Sequence, residues 1–400
     1  MSRLDDYREV VPKGAIDFLK ALAEQVKGKK ILNINSTKLG GGVAEMLRSD
    51  ILLLQEFGIE TEWQIISGTE AFFNVTKSFH NALQGQDQHL SKQMLDAYLE
   101  VNRENAKRLS FDADYVVIHD PQPAALIESR PARGKWVWRC HIDISRPQWN
   151  VWSFLRQFVV HYDAAVFSLP RFAQRLPIPQ FLIYPSIDPL SDKNRDLSSE
   201  EQSRILSRLH VPPDKPILLQ VSRFDRFKDP LGVIQTYRLV KKHHDLQLVL
   251  AGGGATDDPE GETVLSEVRA AARGDPDIHI LLLPPDANLE INALQRSATI
   301  VLQKSLREGF GLTVAEAMWK GKPVIGGSAG GITVQLVYGV TGYTVNSVEG
   351  AAFRIHHLLD NPEIMAKIGR DGKEYVRQNF LITRNLGDWL ALMSYLGQGR

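Results

Sequence analysis

Lys30-Ile31-Leu32-Asn33-Ile34-Asn35 is a short apolar run, followed by Gly40-Gly41-Gly42 and then by a helical pattern from Val43 to Phe57 that stops at Gly58. This reads as strand, turn and crossover helix, the repeating unit of a parallel sheet with helices on its faces. The alternation continues along the chain. Strands are expected at about 61–66, 115–118, 135–140, 164–168 and 181–184, with helices at 91–109 and 149–160. Periodicity then breaks at Pro185-Ser186-Ile187-Asp188-Pro189-Leu190 and a polar run to Ser199, which reads as a linker. A second series follows, with strands at about 216–221, 246–251, 278–283, 299–303, 323–326 and 342–345 and helices near 230–243, 262–272, 288–297, 312–319 and 348–359.

A chain of 400 residues exceeds what one hydrophobic core usually supports. The expected fold class is therefore α/β, with two doubly wound Rossmann-like domains, residues 1–190 and 191–379, facing a cleft. A last helix at 380–400 has no strand to pair with and is expected to pack back on the first domain. Sheets of this kind place ligands at the carboxyl ends of their strands.

Acidic and basic residues balance at a net charge of zero, which provides no long-range attraction for nucleic acid or an anionic membrane. Small-molecule partners are expected, and a homodimer is left open. No apolar run approaches the roughly 20 residues of a membrane-spanning helix, and Met1-Ser2-Arg3-Leu4-Asp5-Asp6 does not lead into a signal-peptide core, so a cytoplasmic location is expected. The single cysteine, Cys140, falls inside an expected buried strand and is given no chemical role.

The richest segment is Arg307-Glu308-Gly309-Phe310-Gly311-Leu312-Thr313-Val314-Ala315-Glu316. Gly309 and Gly311 let backbone approach a ligand closely, and the N–H groups opening the next helix favour negative charge, a combination that suits phosphate. Glu308 and Glu316 flank this turn. Ser222-Arg223-Phe224-Asp225-Arg226-Phe227-Lys228 follows the first strand of the second domain, so Arg223 and Lys228 are candidates to neutralise a diphosphate. Read alone, that segment is equally well a solvated charged loop.

Gly40-Gly41-Gly42 can admit a diphosphate but lacks the dinucleotide fingerprint, which disfavours a nicotinamide cofactor. Gly252-Gly253-Gly254 reads as readily as a flexible turn. His119-Asp120-Pro121-Gln122 and His141-Ile142-Asp143-Ile144-Ser145 each follow a strand, and together they suggest a hydroxyl-binding pocket. Trp149 and Trp152 are candidate walls for a sugar ring. Asp112-Ala113-Asp114 precedes its strand and reads as a turn, so no metal site is predicted; magnesium is left open only as a companion of the substrate. Neither a Gly-x-Ser-x-Gly elbow nor a P-loop signature occurs.

Glu308 and Glu316 with seven residues between them, Arg223 with Lys228, His141 after a first-domain strand and the N-terminal glycine loop together resemble retaining glycosyltransferases of the GT-B fold, in the family 4 group that includes sucrose and glycogen synthases. Val117-Ile118-His119-Asp120-Pro121-Gln122-Pro123 and Trp138-Arg139-Cys140-His141-Ile142-Asp143-Ile144-Ser145 look like the trehalose synthases within that group, which join a nucleotide-activated glucose to free glucose. The layout is also similar to trehalose-phosphate synthases, and Arg139 and Arg146 keep a phosphorylated acceptor in play.

The resemblance implies a donor of the nucleoside-diphosphate glucose class, glucose as acceptor, trehalose as product and no required cofactor. Arg223 and Lys228 would grip the diphosphate, Glu316 the ribose and Glu308 the moving glucose, with His141 near the reacting carbon. Backbone of Gly41, Gly42, Gly309, Phe310, Gly311, Leu312 and Thr313 would line the donor, and Asp120, Gln122, Asp143 and Trp149 the acceptor. Other acceptors in that group, namely glucose 6-phosphate, fructose or a glucan, are the nearest alternatives. A sugar-nucleotide epimerase of the same fold and a non-catalytic nucleotide-sugar sensor are the more remote ones.

Overall fold

Strands that are apolar on both faces need cover on both faces, and parallel pairing with crossover helices supplies it. The computed structural model, which describes residues 3–38, 41–253 and 259–398, contains two such assemblies. One compact unit runs to Pro185 and takes in the stretch from Ile382, and the other spans Ser186–Leu381.

In the first unit the strands are β1 (Lys30–Asn35), β2 (Glu60–Ile65), β3 (Tyr115–His119), β4 (Lys135–Cys140), β5 (Ala164–Phe167) and β6 (Gln180–Leu182). They form one sheet in the order β2-β1-β3-β4-β5-β6, every neighbouring pair parallel. Strand order reverses between β1 and β3. Ile34 pairs with Ile118, and Ile118 in turn with Trp138, so the carboxyl ends of β1, β3 and β4 lie side by side.

The second unit contains β7 (Ile217–Val221), β8 (Gln247–Gly252), β9 (Ile278–Leu282), β10 (Ile300–Gln303), β11 (Val324–Gly327) and β12 (Tyr343–Val345), ordered β12-β11-β10-β7-β8-β9 and again all parallel. Here the reversal falls between β7 and β10. Loops leaving adjacent strands at a reversal diverge to opposite faces and leave a crevice between them, the usual ligand position in open α/β sheets.

The helix after β1 spans Gly41–Glu56, two residues earlier than the sequence pattern suggests. Gly40 and Gly254 lie outside the described residues. Among the described residues three helices of ten residues or more went unforeseen, Ala15–Gln25, Glu70–Leu83 and Ser199–Arg208, besides the short Arg3–Tyr7 and Ile332–Gln335. Two of them carry a readable start. Thr69 accepts from the Phe72 N–H at 3.3 Å, and Ser198 forms a capping box with Glu201. Among the described residues no helix is long and apolar enough to cross a membrane.

The C-terminal helix Ile382–Gln398 completes the first unit. Leu386, Leu390, Leu392 and Met393 are buried, Ser394 Oγ donates to Gln25 Oε1 at 2.6 Å, and Asn385 Nδ2 donates to the Tyr184 carbonyl at 2.6 Å. Burial of this apolar stripe holds the helix in place. Leu390, fully buried, should therefore be costly to truncate: Leu390→Ala is expected to destabilise the first unit by roughly 2–5 kcal/mol, seen in calorimetry as a transition moved to lower temperature.

Candidate active site

In the second unit the site is built by the loops that leave β7 and β10. Three contacts knit them together and a fourth braces the first loop on its own strand. Lys228 Nζ meets Glu308 Oε2 at 2.6 Å, Lys304 pairs with Asp229, the Leu306 N–H donates to the Phe227 carbonyl at 2.7 Å, and Gln220 Nε2 holds the Lys228 carbonyl at 2.7 Å. Asp229 adopts a left-handed conformation (φ 51°) and its carboxylate also caps the helix Pro230–Lys241 by accepting the Gly232 N–H at 3.1 Å.

Glu308 is nearly buried, and its Oε2 also accepts from Ser305 Oγ at 3.2 Å. Its Oε1 bonds to no described residue. One oxygen is thus locked while the other is left for a ligand hydroxyl. Arg223 differs in being 65% exposed and paired only with Asp225 at 3.3 Å. Such a loosely held guanidinium can turn onto an incoming phosphate.

Glycines let this loop close. Gly311 (φ 83°) ends the turn and starts the helix Leu312–Trp319. Gly330 (φ 47°) lies so close to the Glu308 carbonyl that a Cβ there would fall 1.6 Å from its oxygen. The Gly331 N–H donates to the Gly309 carbonyl at 3.0 Å and Gln335 Nε2 to the Phe310 carbonyl at 2.7 Å, so a second loop braces the first.

In the first unit the polar groups form a row across three neighbouring strands. Asn33 Oδ1 lies 3.1 Å from His119 Nε2, and His119 Nδ1 lies 3.0 Å from His141 Nε2. Behind them Arg139 is almost wholly buried, with Nη2 donating to Ser168 Oγ at 3.1 Å and to the Ile183 carbonyl at 2.9 Å. A cavity of about 30 Å³, lined by Asn33, His119, Arg139, His141, Asp50 and Asn385 among others, adjoins this row.

Burial disfavours charge on both rings and the Arg139 cation adds to that, pulling His119 down to about 3 and His141 well below the ordinary histidine value. Both are neutral imidazoles at physiological pH. Arg139 itself is lowered by burial, to about 10, and so keeps its charge there. Asp120, with φ 66°, accepts the His141 N–H on Oδ1 at 2.8 Å, and the Trp138 indole donates to its carbonyl at 3.0 Å.

Comparison with known proteins now has a site to refer to. Residues 33–174 match the family model described as the trehalose synthase N-terminal domain, and residues 201–375 match that of the glycosyl transferases group 1. Trehalose synthase of Pyrococcus horikoshii is 46% identical over 99% of this chain and 97% of its own length. The chain belongs to the trehalose synthase family. The family member from Rubrobacter xylanophilus is 44% identical over 98% of this chain and 97% of its own. A UDP-forming α,α-trehalose-phosphate synthase from Burkholderia xenovorans superposes with a TM-score of 0.74 at 16% identity, covering 93% of this chain and all of that one. As a trehalose synthase homologue of GT-B fold, the protein is a hexosyltransferase of trehalose-related glycosyl transfer.

Within this family frame, several candidate residues sit differently from their reading in the sequence. The aromatic wall is halved: Trp152 is buried against Trp138 at 6.2 Å and belongs to the core, whereas Trp149 is 73% exposed at the start of the helix Trp149–Val159. The Phe310 ring is buried against Phe380, so this segment offers a ligand its backbone rather than an aromatic face. Glu316 is buried, with Lys193 at 3.1 Å on Oε1 and Gln295 at 3.1 Å on Oε2. Burial alone would raise its pKa, but the Lys193 and Lys320 charges outweigh that and hold it below the usual carboxylate range.

Arg139 is buried on Ser168 and the Ile183 carbonyl and lines the same cavity as the two histidines. Asp143 is buried and accepts the Ser145 N–H at 3.0 Å, and Gln122 Oε1 is buried without a described partner. Gly41 and Gly42 open the helix Gly41–Glu56, whose first N–H groups have no intrahelical acceptor. Leu312 and Thr313 are half-buried in the first turn of their helix. Asp114 accepts the Lys30 N–H at 2.9 Å and turns the chain into β1. Cys140 is buried and its thiol is pushed up by burial, which leaves it inert.

Asn33, Gln303 and Ser305 escaped sequence reading. Asn33 and Gln303 had a signal, since each is an amide inside an otherwise apolar parallel strand, where a buried polar group needs a partner.

Asp120 gives a test with a definite sign. Burial pushes its carboxyl up to about 6, against the opposing pull of the His141 N–H and Arg139. A raised folded pKa contributes stability that is fully present below the unfolded value near 4 and lost as pH rises through about 6. Asparagine keeps the acceptor oxygen and tolerates a positive φ. Asp120→Asn should therefore unfold at a higher temperature than the parent at pH 7.5, with the difference closing near pH 4. A variant less stable at both values would refute the shift.

Proposed function

We propose that the protein transfers glucose from a nucleoside-diphosphate glucose to the anomeric hydroxyl of free glucose, with retention, giving α,α-1,1-linked trehalose. The observation that carries this reading is the Lys228–Glu308 contact at the strand-order reversal, with Glu308 Oε1 bonded to no described residue and Arg223 exposed in the loop that carries Lys228. Lys228 and Arg223 grip the donor diphosphate, Glu308 Oε1 accepts a hydroxyl of the transferred glucose, and the N–H groups of Leu312 and Thr313 face phosphate oxygens. Glu316 takes the ribose by exchanging Lys193 for its hydroxyls. His141 contacts the transferred sugar. Asp120, Gln122, Asp143 and Trp149 belong to the acceptor side, and Gly41 and Gly42 complete the donor cradle.

In the reaction the bond from the anomeric carbon to the diphosphate breaks and a bond to the acceptor oxygen forms on the same face. The acceptor's hydroxyl proton passes to the departing diphosphate oxygen. Neither step requires a carboxylate nucleophile. Glu308 has Oε2 bonded to Lys228 and Ser305 and Oε1 assigned in this reading to a glucose hydroxyl, which favours same-face departure and attack over a covalent intermediate. Charge developing on the diphosphate is met by Arg223 and Lys228, so the protein's own cations supply the stabilisation. Arg139 is buried and held by Ser168 and the Ile183 carbonyl, which leaves the exposed Arg146 as the other basic candidate for a sugar phosphate; free glucose is the acceptor of this reading.

The reading is tested by incubating the protein with ADP-, UDP- or GDP-glucose and glucose and identifying the product by NMR. A symmetric α,α-1,1 disaccharide is expected; a different linkage, or product only with glucose 6-phosphate, would overturn it. Arg223→Ala should lower kcat by about 100-fold or more while changing nucleotide affinity far less. A change confined to affinity would remove Arg223 from the transition state.

A further inference from the structure

Three polar side chains from adjacent strands stand in file: Asn33 from β1, His119 from β3 and His141 just after β4. We propose that Asn33 and His119 are positioning residues that fix the tautomer of His141, so that its Nδ1 meets the transferred glucose as a hydrogen-bond acceptor. This rests on the sugar-facing role given to His141 above and specifies the chemistry of that contact.

The logic is proton counting. The Asn33 oxygen that lies 3.1 Å from His119 Nε2 can only accept, so Nε2 carries the ring proton. A neutral imidazole has one such proton, which leaves His119 Nδ1 as an acceptor. It lies 3.0 Å from His141 Nε2, which must then be the donor. The His141 proton is spoken for, and its Nδ1, which bonds to no described residue, presents a lone pair.

The surroundings keep the count unambiguous. The Arg139 guanidinium and Asp50 share the cavity lining with both rings, Asp120 binds the His141 backbone rather than its ring, and no carboxylate of the described residues bonds to either imidazole. Asp50 is the one carboxylate of that lining, and burial of the rings, with Arg139 beside them, outweighs it and disfavours a second proton. Reversing the Asn33 amide would reverse every bond in the file and turn Nδ1 into a donor, so the alternatives are discrete.

Histidine 15N NMR on the ligand-free protein at pH 7.5 distinguishes them, with the His141 signals identified by their loss in His141→Asn. Expected are a protonated, pyrrole-type Nε2 and a bare, imine-type Nδ1. A protonated Nδ1 would overturn the proposal. In Asn33→Leu the His141 tautomers should mix and kcat should fall about tenfold, with KM for the donor changing less. Asn33→Asp retains the acceptor oxygen, so it should keep the tautomer and most of kcat at alkaline pH. Its added carboxylate favours an imidazolium, moving the acid limb of the pH profile upward.

An Asn33→Leu protein that folds and keeps both tautomer and kcat also defeats the idea. If Asn33→Leu does not fold, the parent spectrum and Asn33→Asp still decide. Because the spectrum needs no substrate, the two readings fail separately. The expected tautomer without trehalose formation would sink the activity and uphold the file, while the reverse tautomer with normal trehalose formation would do the opposite.

Discussion

The adjacency of β7 and β10 is the constraint on which the second unit's chemistry depends. Two other strands, β8 and β9, lie between them in the sequence, yet they pair directly, because strand order reverses between them. Their loops are consequently neighbours, and Lys228 and Glu308 meet at 2.6 Å although 80 residues apart in the chain. An ion pair that is largely withdrawn from water is stable only when both partners are present and well bonded. Ser305, Gln303 and the backbone bridge from Leu306 to Phe227 supply that bonding. Gly330 and Gly331 are equally bound to the arrangement, since any side chain there would collide with the backbone of residues 308–310.

The first unit solves a different electrostatic problem. It buries a full positive charge, Arg139, with a hydroxyl and a carbonyl as its hydrogen-bond partners. Desolvation of a guanidinium is expensive, but its high intrinsic pKa leaves it charged even when lowered to about 10. Histidine has no such margin. Burial first, and that cation second, keep a second proton off the rings of His119 and His141, and the pair becomes a neutral hydrogen-bonding device rather than an acid–base couple. The same charge that looks from sequence like a phosphate ligand therefore acts as a field on its neighbours.

The two parallel sheets were legible in the sequence because parallel strands buried on both faces leave continuous apolar runs, and these stand out at nearly every position. The helices Ala15–Gln25, Glu70–Leu83 and Ser199–Arg208 were passed over although each is clearly amphipathic, with Phe72, Val75, Phe79 and Leu83 at helical spacing in the second, and although Thr69 and Ser198 mark two of the starts. Glu308, Lys228, Arg223 and His141 were legible as candidates because charged or polar residues just past a strand point to a ligand site. Which of them touch one another was not recoverable from spacing, since contact at a reversal depends on strand order. Trp152 and Arg139 misled for a related reason: residue type says what a side chain can do, whereas the strand or helix phase decides which way it faces. Asn33 passed as one letter of an apolar strand.

Glu308 and Glu316 belong to one motif yet face opposite demands. The turn at Gly311 starts a helix in which Val314, Ala315, Ala317, Met318 and Trp319 are all buried, so position 316 has no solvent to point into. A carboxylate there is tolerable only with compensation in place. Lys193 and Gln295 contact its two oxygens, and Lys320, held by Asn194 and Gln295, adds a second positive charge nearby. Glu308 lies before the turn, where one oxygen can be secured and the other spared. The motif's spacing thus sets a fully neutralised carboxylate behind a half-engaged one. Their difference follows from the helix that begins between them, because the first lies in the loop before it, with one oxygen bonded to no described residue, and the second in its buried stretch Val314–Trp319, with Lys193 at its Oε1.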